Sequence, residues 1–310
     1  MKSPEDPFAA SWRQRSALAF TAEAEYKGEG LDARHLAVGR KCPHLVASLN
    51  DPTASYFFGV NVRSGRDVAW IAPEDILSGG LHCNAALDAL DRASGLYFRE
   101  WPEATADYSI LGCVVRARVA RHSNVVAPPA TSTNWSKPLH VLFLAERLRE
   151  HAVAFPRTRL AMGALASSEE VLKGCGALPS FVYRPGVNTP HDRPLILQRY
   201  INGYELRIHV IGSDVFVHRL DRCGLDYRRD GLRSVSAGDI SHQERSACIK
   251  AAAEEGLRFA GLDVLRADGT SYLLEVNPMP GYHCFEEAAG VGTPITDAIY
   301  SALCAEVAVA

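Results

Sequence analysis

One stretch near the carboxy terminus constrains this chain more than any other. Ser241, followed three residues later by Glu244, forms a capping box that satisfies two orphan helix N–H groups reciprocally and starts a helix. Ala247, Ala251, Ala252 and Leu257 supply its apolar face, and Gly261 stands where a left-handed glycine would end it. Residues 262–266 and 271–276 then read as two strands joined through Asp268-Gly269, a strong hairpin signal. The first strand holds Asp263 among Leu262, Val264 and Leu265. The second holds Glu275 and Asn277 among Leu273, Leu274 and Val276.

Side chains alternate along a strand, so Glu275 and Asn277 share a face. Burying an unpaired carboxylate costs several kcal/mol, and a magnesium ion would offset that cost. Magnesium takes one or two carboxylates together with phosphate oxygens, and Asp263, Glu275 and Asn277 fit that preference. Asp263 alone reads more simply as an ordinary hairpin acid. The set reads otherwise, because Asn277-Pro278 and Pro280-Gly281 fix the strand end. A shared ion also demands a register. A plain two-residue turn places Asp263 opposite Leu274 and sends Glu275 to the other face. A three-residue connection, or an equivalent bulge, sets Asp263 opposite Glu275.

The rest of the chain supplies context. Its 310 residues, 47% hydrophobic and 22% charged, suffice for one large domain or a few small ones with a real core. A formal charge of -3 gives no basic field for nucleic acid or an anionic membrane. Eight cysteines are scattered singly without C-x-x-C or zinc spacing, as in reduced cytosolic proteins. From the polar, proline-broken start no secretory leader is expected, and no apolar run nears the ~20 residues of a membrane span. A cytoplasmic protein is expected.

Apolar runs at 45–49, 56–60 and 68–71 read as strands, and 84–94 reads as a helix. The Pro/Ser/Thr/Asn-rich stretch 123–134 is the best boundary. A helix over 137–152, a strand after Phe155-Pro156, a helix from Ser168 with Val171 and Leu172 inward, and a strand at 181–184 follow. Three regions result: 1–130, 131–196 and 197–310, the last holding the Asp263, Glu275 and Asn277 set. His82, Cys83, Arg116 and Arg118 are polar positions of the first region that read more simply as surface or packing residues.

A second cluster runs Gln198-Arg199-Tyr200-Ile201-Asn202-Gly203-Tyr204-Glu205-Leu206-Arg207, a strand entering and leaving a glycine turn. Backbone groups at Gln198, Arg199, Tyr200 and Ile201 can read an adenine edge. Glu205 can accept from ribose hydroxyls, and Arg207 can present a fixed fork of donors to phosphates. Each also has a plain reading as a satisfied hairpin charge.

Together these residues carry a resemblance. The run from Gln198 to Glu286, with Tyr204-Glu205-Leu206-Arg207-Ile208-His209-Val210-Ile211-Gly212, Asp226-Tyr227-Arg228, Gly261-Leu262-Asp263-Val264 and Leu274-Glu275-Val276-Asn277-Pro278, resembles the ATP-grasp ligases. It is most similar to the RimK-like ribosomal-protein glutamate ligases and related peptide-modifying ligases of natural-product pathways. Upstream, Asn134-Trp135-Ser136-Lys137-Pro138 resembles the start of that family's ATP-binding region.

The resemblance implies an α+β ATP-grasp fold, with two α+β subdomains sandwiching ATP after an N-terminal α/β region. It implies ATP and Mg2+ as cofactors, and an acyl phosphate formed on a small-molecule or peptide carboxylate. An amine-type nucleophile then gives an amide, or another nucleophile an ester. Lys137 would reach a nucleotide phosphate, Arg207 and Arg228 would contact phosphates or the acyl phosphate, and Asp263, Glu275 and Asn277 would hold magnesium.

The chain departs from the family pattern in two places. Arg184 stands on the strand 181–184, where the family carries a second lysine. The following loop, 185–192, has one glycine and two prolines, a poor phosphate cradle. A non-catalytic nucleotide- or peptide-binding relative is the competing reading, and a kinase a third. No nucleic-acid or membrane partner is expected, and a homodimer is left open.

Overall fold

The computed structural model describes residues 40–99, 106–126, 137–161, 167, 169–174, 182–183, 195–290 and 292–305. They fall into two compact units. Of the described residues, the first takes 40–126, Leu257–Phe259 and the segment from Gly281 onward. The second takes Thr131–Gly256 and Ala260–Pro280. As packed units, therefore, the region expected at 197–310 stops at Pro280, and its last segment groups with the first unit.

In the first unit, β1 (Pro43–Val46), β2 (Ala69–Ile71), β3 (Gly95–Phe98) and β4 (Val125–Val126) form a sheet in the order β2-β1-β3-β4. Each pairing is parallel. Parallel neighbours need crossovers, and helices supply them: α1 (Pro52–Arg63), α2 (Pro73–Leu77), α3 (Cys83–Arg92) and α4 (Ala106–Val119). The strand expected at 56–60 is instead the middle of α1. Asp51 caps that helix by accepting from the Thr53 and Ala54 N–H groups, and Pro52 fills its first turn, where no N–H is needed. A five-residue apolar run cannot tell a strand from a buried helix, and the Asp-Pro start signal decides it. Two further helices complete this unit, α8 (His283–Ala289) and α9 (Pro294–Cys304). α9 buries Ile295, Thr296, Ile299 and Leu303.

The second unit holds two sheets. In the smaller, β5 (Thr158–Ala161), β6 (Glu170–Gly174), β7 (Val182–Tyr183) and β8 (Leu195–Arg199) run antiparallel in the order β5-β8-β6-β7. Residues 170–174, expected within a helix, are thus a strand. In the larger, β9 (Tyr204–Ile211), β10 (Asp214–Arg222), β11 (Leu232–Ala237), β12 (Phe259–Ala267) and β13 (Thr270–Asn277) lie in the order β11-β10-β9-β12-β13. Helix α5 (Lys137–Arg147) packs on β13, short α6 (Tyr227–Asp230) follows β10, and α7 (His242–Glu254) packs on β9 and β13.

The capping box of α7 is present: Glu244 N–H donates to Ser241 Oγ at 3.2 Å, and Ser241 N–H donates to Glu244 Oε2 at 2.7 Å. The helix ends seven residues before Gly261, short of Leu257 as well. The left-handed glycine after it is Gly256, at φ 67°. Gly261 lies inside β12, where a Cβ would stand 2.7 Å from a guanidinium nitrogen of Arg207. Its missing side chain leaves room for that arginine, a role sequence spacing does not reveal.

Candidate active site

The β12–β13 hairpin turns through Asp268 and Gly269, both with positive φ (50° and 76°), the backbone of a two-residue type I′ turn. Ala267 accordingly pairs with Thr270. Continued regularly, this register would set Asp263 opposite Leu274. It shifts between Asp263 and Val264 instead: Val264 pairs with Leu273, Asp263 with Glu275, and Leu274 is the extra residue of a bulge. The bulge therefore does what a three-residue loop would have done. It also lets two successive residues, Leu274 and Glu275, line the same cleft, which a regular pleat forbids.

That cleft lies within the second unit, is partly open to solvent and has a cavity volume of about 70 Å³. Val171 and Lys173 of β6 and Gln198 and Arg199 of β8 line it from the small sheet. Glu205, Arg222, Asp263 and Glu275 line it from the large one, and Tyr200, Ile201, Asp226 and Tyr227 join them. The expected run Gln198, Arg199, Tyr200, Ile201 and Glu205 thus converges with Asp263 and Glu275. Gln198 is buried, and its Nε2 donates to Thr158 Oγ1 at 3.1 Å. Glu205 is 5% exposed and paired with Arg222 at 3.2 Å. Arg222 also donates to the carbonyls of Leu225 (3.0 Å) and Gly203 (3.2 Å), so this arginine braces the wall behind the carboxylate.

Arg207, on the next in-facing position of β9, is 4% exposed and forms an ion pair with Asp263. Burial works against its charge, and Asp263, Tyr227 and Glu275 more than offset it, so its pKa is raised. The neighbouring His218 is pushed down to about 4, first by burial and then by the Arg207 charge, so its imidazole is neutral at pH 7. Glu205 shows the opposite effect: burial, then the negative charge of Asp263, raises its pKa, with Glu275 adding to the repulsion. Three carboxylates thus share one wall. A divalent cation relieves that repulsion, and the donor set suits a hard one. Among the described residues no group of three His, Cys, Asp or Glu side chains is placed to hold a metal ion by itself. Magnesium at a nucleotide needs none, since phosphate oxygens and water supply the remainder. Asn277 follows Glu275 on the same face, and its Oδ1 accepts from Met279 N–H at 3.0 Å, fixing the carboxamide at the strand end.

Lys173 was not singled out from the sequence. It is 6% exposed and lines the cleft two positions from Val171, on the same face of β6. A helical reading of this stretch sends such a lysine to solvent. The signal that would have found it is Val171-Leu172-Lys173-Gly174, a short run opened by β-branched Val171 and closed by glycine. Arg184 lies outside the described residues. Lys137 opens α5 and Arg228 lies in α6, but the side chains of both are outside the described set. His82 caps α3 without a side-chain bond, and Arg118 pairs with Asp91, as surface residues do.

Comparison with known proteins finds relatives in sequence and in fold. Residues 187–300 match the RimK-like ATP-grasp domain. The chain is 37% identical over 106 residues to ribosomal protein bS6–L-glutamate ligase of Salmonella paratyphi B. That match covers 31% of this chain and 34% of the relative, so the chain spans about a third of the length of the curated relatives it matches. Among solved structures, the ATP-grasp ligase PsnB complexed with minimal precursor, Mg and ADP superposes with a TM-score of 0.65 at 20% identity, over 84% of this chain and 97% of that one. Macrocyclase MdnC of Microcystis aeruginosa MRC, bound with precursor peptide MdnA, superposes with a TM-score of 0.62 at 14% identity, over 84% and 99%. No helix among the described residues is long and apolar enough to cross a membrane. Residues 187–300 therefore belong to the RimK-like ATP-grasp family, on a chain that has the ATP-grasp fold.

Proposed function

We propose that this protein is an ATP-dependent carboxylate ligase that forms an amide, or an ester, on a peptide or amino-acid substrate. The observation that carries this reading is the cleft itself, where buried Lys173 faces the same space as the opposed carboxylates Asp263 and Glu275, with Arg207 behind them. Residues 131–196 and 197–280 act as the two nucleotide-binding subdomains. Backbone groups of Gln198–Ile201 receive the adenine, Glu205 the ribose, and Lys173 and Lys137 the phosphates. Lys173, rather than Arg184, takes the second lysine position of the family pattern. Asp263, Glu275 and Asn277 hold magnesium, which when bound neutralises charge on the phosphate oxygens.

The substrate carboxylate oxygen bonds to the γ-phosphorus as the bond to the ADP oxygen breaks, giving an acyl phosphate and ADP. The nucleophile then bonds to the acyl carbon, phosphate leaves with the electron pair, and the nucleophile gives up its proton. Arg207 and Arg228 stabilise the negative charge on the transferring phosphoryl group. PsnB has been solved with precursor peptide PsnA2 and MdnC with precursor peptide MdnA, which supports a peptide as the carboxylate partner here. The test is a phosphate-release screen over amino acids, dipeptides and peptides encoded beside the gene, with mass spectrometry of the products. A dehydrated or extended product formed with stoichiometric ADP supports the proposal. Nucleotide binding without ADP formation on any of them favours a non-catalytic relative.

A further inference from the structure

Arg222 ends β10 and has no step in the chemistry proposed above, yet its guanidinium touches three segments of the cleft wall. The ladder between β9 and β10 closes with Glu205 paired to Leu220. Side chains alternate, so Arg222, two positions past Leu220, shares the face of Glu205. The pairing of β10 with β11 shifts at the same point. Asp221 pairs with Ser234 and Arg222 with Leu232, which leaves Arg233 as the extra residue of a bulge. Bulges recur beside sites, where they re-aim a side chain or end a pairing.

Each partner of the guanidinium has its own place in the cleft. Nη1 lies 3.2 Å from Glu205 Oε2 and donates to Leu225 O at 3.0 Å. Nη2 donates to Gly203 O at 3.2 Å. Gly203 belongs to the short connection from β8 to β9, between Ile201 and Glu205. A Cβ at Gly203 would stand 2.3 Å from Arg266 O, so this connection lies tight against β12. Leu225 opens the stretch Leu225-Asp226-Tyr227 that lines the cleft. One planar fork therefore ties together the end of the Gln198–Ile201 segment, the Glu205 carboxylate and the loop after β10. A lysine would supply a flexible point charge in place of that plane. Charge acts in the same sense as geometry: Asp263 and Glu275 repel the Glu205 carboxylate, and Arg222 attracts it.

We infer that Arg222 is a positioning residue that sets ribose selectivity, fixing the Glu205 carboxylate against the Gly203 carbonyl so that ribonucleotides bind better than their deoxy forms. The inference rests on the nucleotide reading above, with Glu205 at the ribose. Arg222 holds Oε2, and a carboxylate has a second oxygen with which to accept from a ribose hydroxyl. The arginine itself touches no nucleotide. It fixes where the ribose carboxylate stands relative to the backbone that receives adenine.

Titration calorimetry on the full chain with magnesium and ADP, 2′-deoxy-ADP or 3′-deoxy-ADP reads this directly. The wild-type chain should bind ADP about tenfold or more tighter than at least one deoxy form, the worth of a hydrogen bond to a charged group. Arg222→Met keeps the length but removes the charge and the fork. In it the ratio should fall below about threefold, chiefly through weaker ADP binding. Arg222→Lys should fall between the two. Glu205→Ala should lower the ratio as well, and adding Arg222→Met to it should lower the ratio no further, because the pair acts as one unit. Removing one partner of a buried pair costs stability, so thermal melts accompany each variant, and Arg222→Lys carries the test if Arg222→Met does not fold. A residue that merely supports the fold would weaken all three nucleotides alike. That result overturns the positioning role and leaves the nucleotide site standing. So does an unchanged ratio in Arg222→Met or Arg222→Lys, or a wild-type chain that binds ADP and both deoxy forms equally. No binding of ADP by the folded wild-type chain overturns the nucleotide reading and this inference with it.

Discussion

Lys173 and Glu275 show how far a single residue's meaning depends on its neighbours. Lys173, at 6% exposure, lines the same cleft as Glu205, Asp263 and Glu275, where the phosphates of a nucleotide would meet its ammonium. Lys173→Ala should lower kcat/KM by about 10²-fold or more, with the fold retained by circular dichroism, and Lys173→Arg should fall between the two. Wild-type ATP affinity in Lys173→Ala would remove it from the site. Glu275→Gln should reduce turnover by at least ~10²-fold with a melting temperature within a few degrees of wild type, because an anionic metal ligand becomes neutral at constant volume. Turnover near wild type would mean that Glu275 does not hold the metal. The two acids were legible in the sequence because carboxylates stand out among apolar strand residues. Lys173 was not, because a lysine after two apolar residues is unremarkable until the segment is known to be a strand. Glu205 illustrates a further limit: its position on a hairpin was readable, but its crowding by Asp263 and Glu275 arises from strand neighbours that are not sequence neighbours.

At the scale of elements, signals that act over three or four residues proved the most legible. The capping box of α7 and the Asp268-Gly269 turn appear as expected, and a bulge supplies the register that a shared ion demands. The strand expected at 56–60 failed because an apolar run carries no period, and the segment at 170–174 failed in the reverse direction. The capping glutamate also has a role beyond its helix. Burial alone would raise its pKa, but bonds from Arg266, Ser271 and the Ser241 N–H hold it down to about 2. A carboxylate with a depressed folded-state pKa contributes stability that is fully present above its ordinary value of 4.5 and is lost as pH falls toward 2. Glu244→Gln should therefore cost about 1–3 kcal/mol at pH 7, and the gap to wild type in thermal melts should close between pH 4.5 and 2. A gap independent of pH would assign the loss to packing. In the turn, Gly269→Ala should cost on the order of 1 kcal/mol, since φ of 76° strains any side chain. An unchanged melting temperature would show that the turn has another conformation.

For the molecule as a whole, composition excluded a nucleic-acid field and the motif order pointed to the fold, but the packing of the last segment was beyond reach. Residues 281–305 group with the first unit through contacts such as Asn124 Nδ2 donating to Leu303 O at 2.9 Å, which span 179 positions in the chain. Periodicity shows that α9 has a buried face, not what covers it. The proposed metal site does not meet that limit, because one local hairpin carries all three of its proposed ligands. Its central claim, a magnesium-dependent nucleotide site between β6, β8 and the β12–β13 hairpin, is tested most directly by titration calorimetry. A non-hydrolysable ATP analogue is titrated into the folded chain with magnesium and with EDTA. The expected result is binding in the ~1 µM to ~1 mM range that requires magnesium and disappears in Asp263→Asn/Glu275→Gln. Absence of heat from the folded protein under both conditions, or equal binding with and without magnesium, would contradict it.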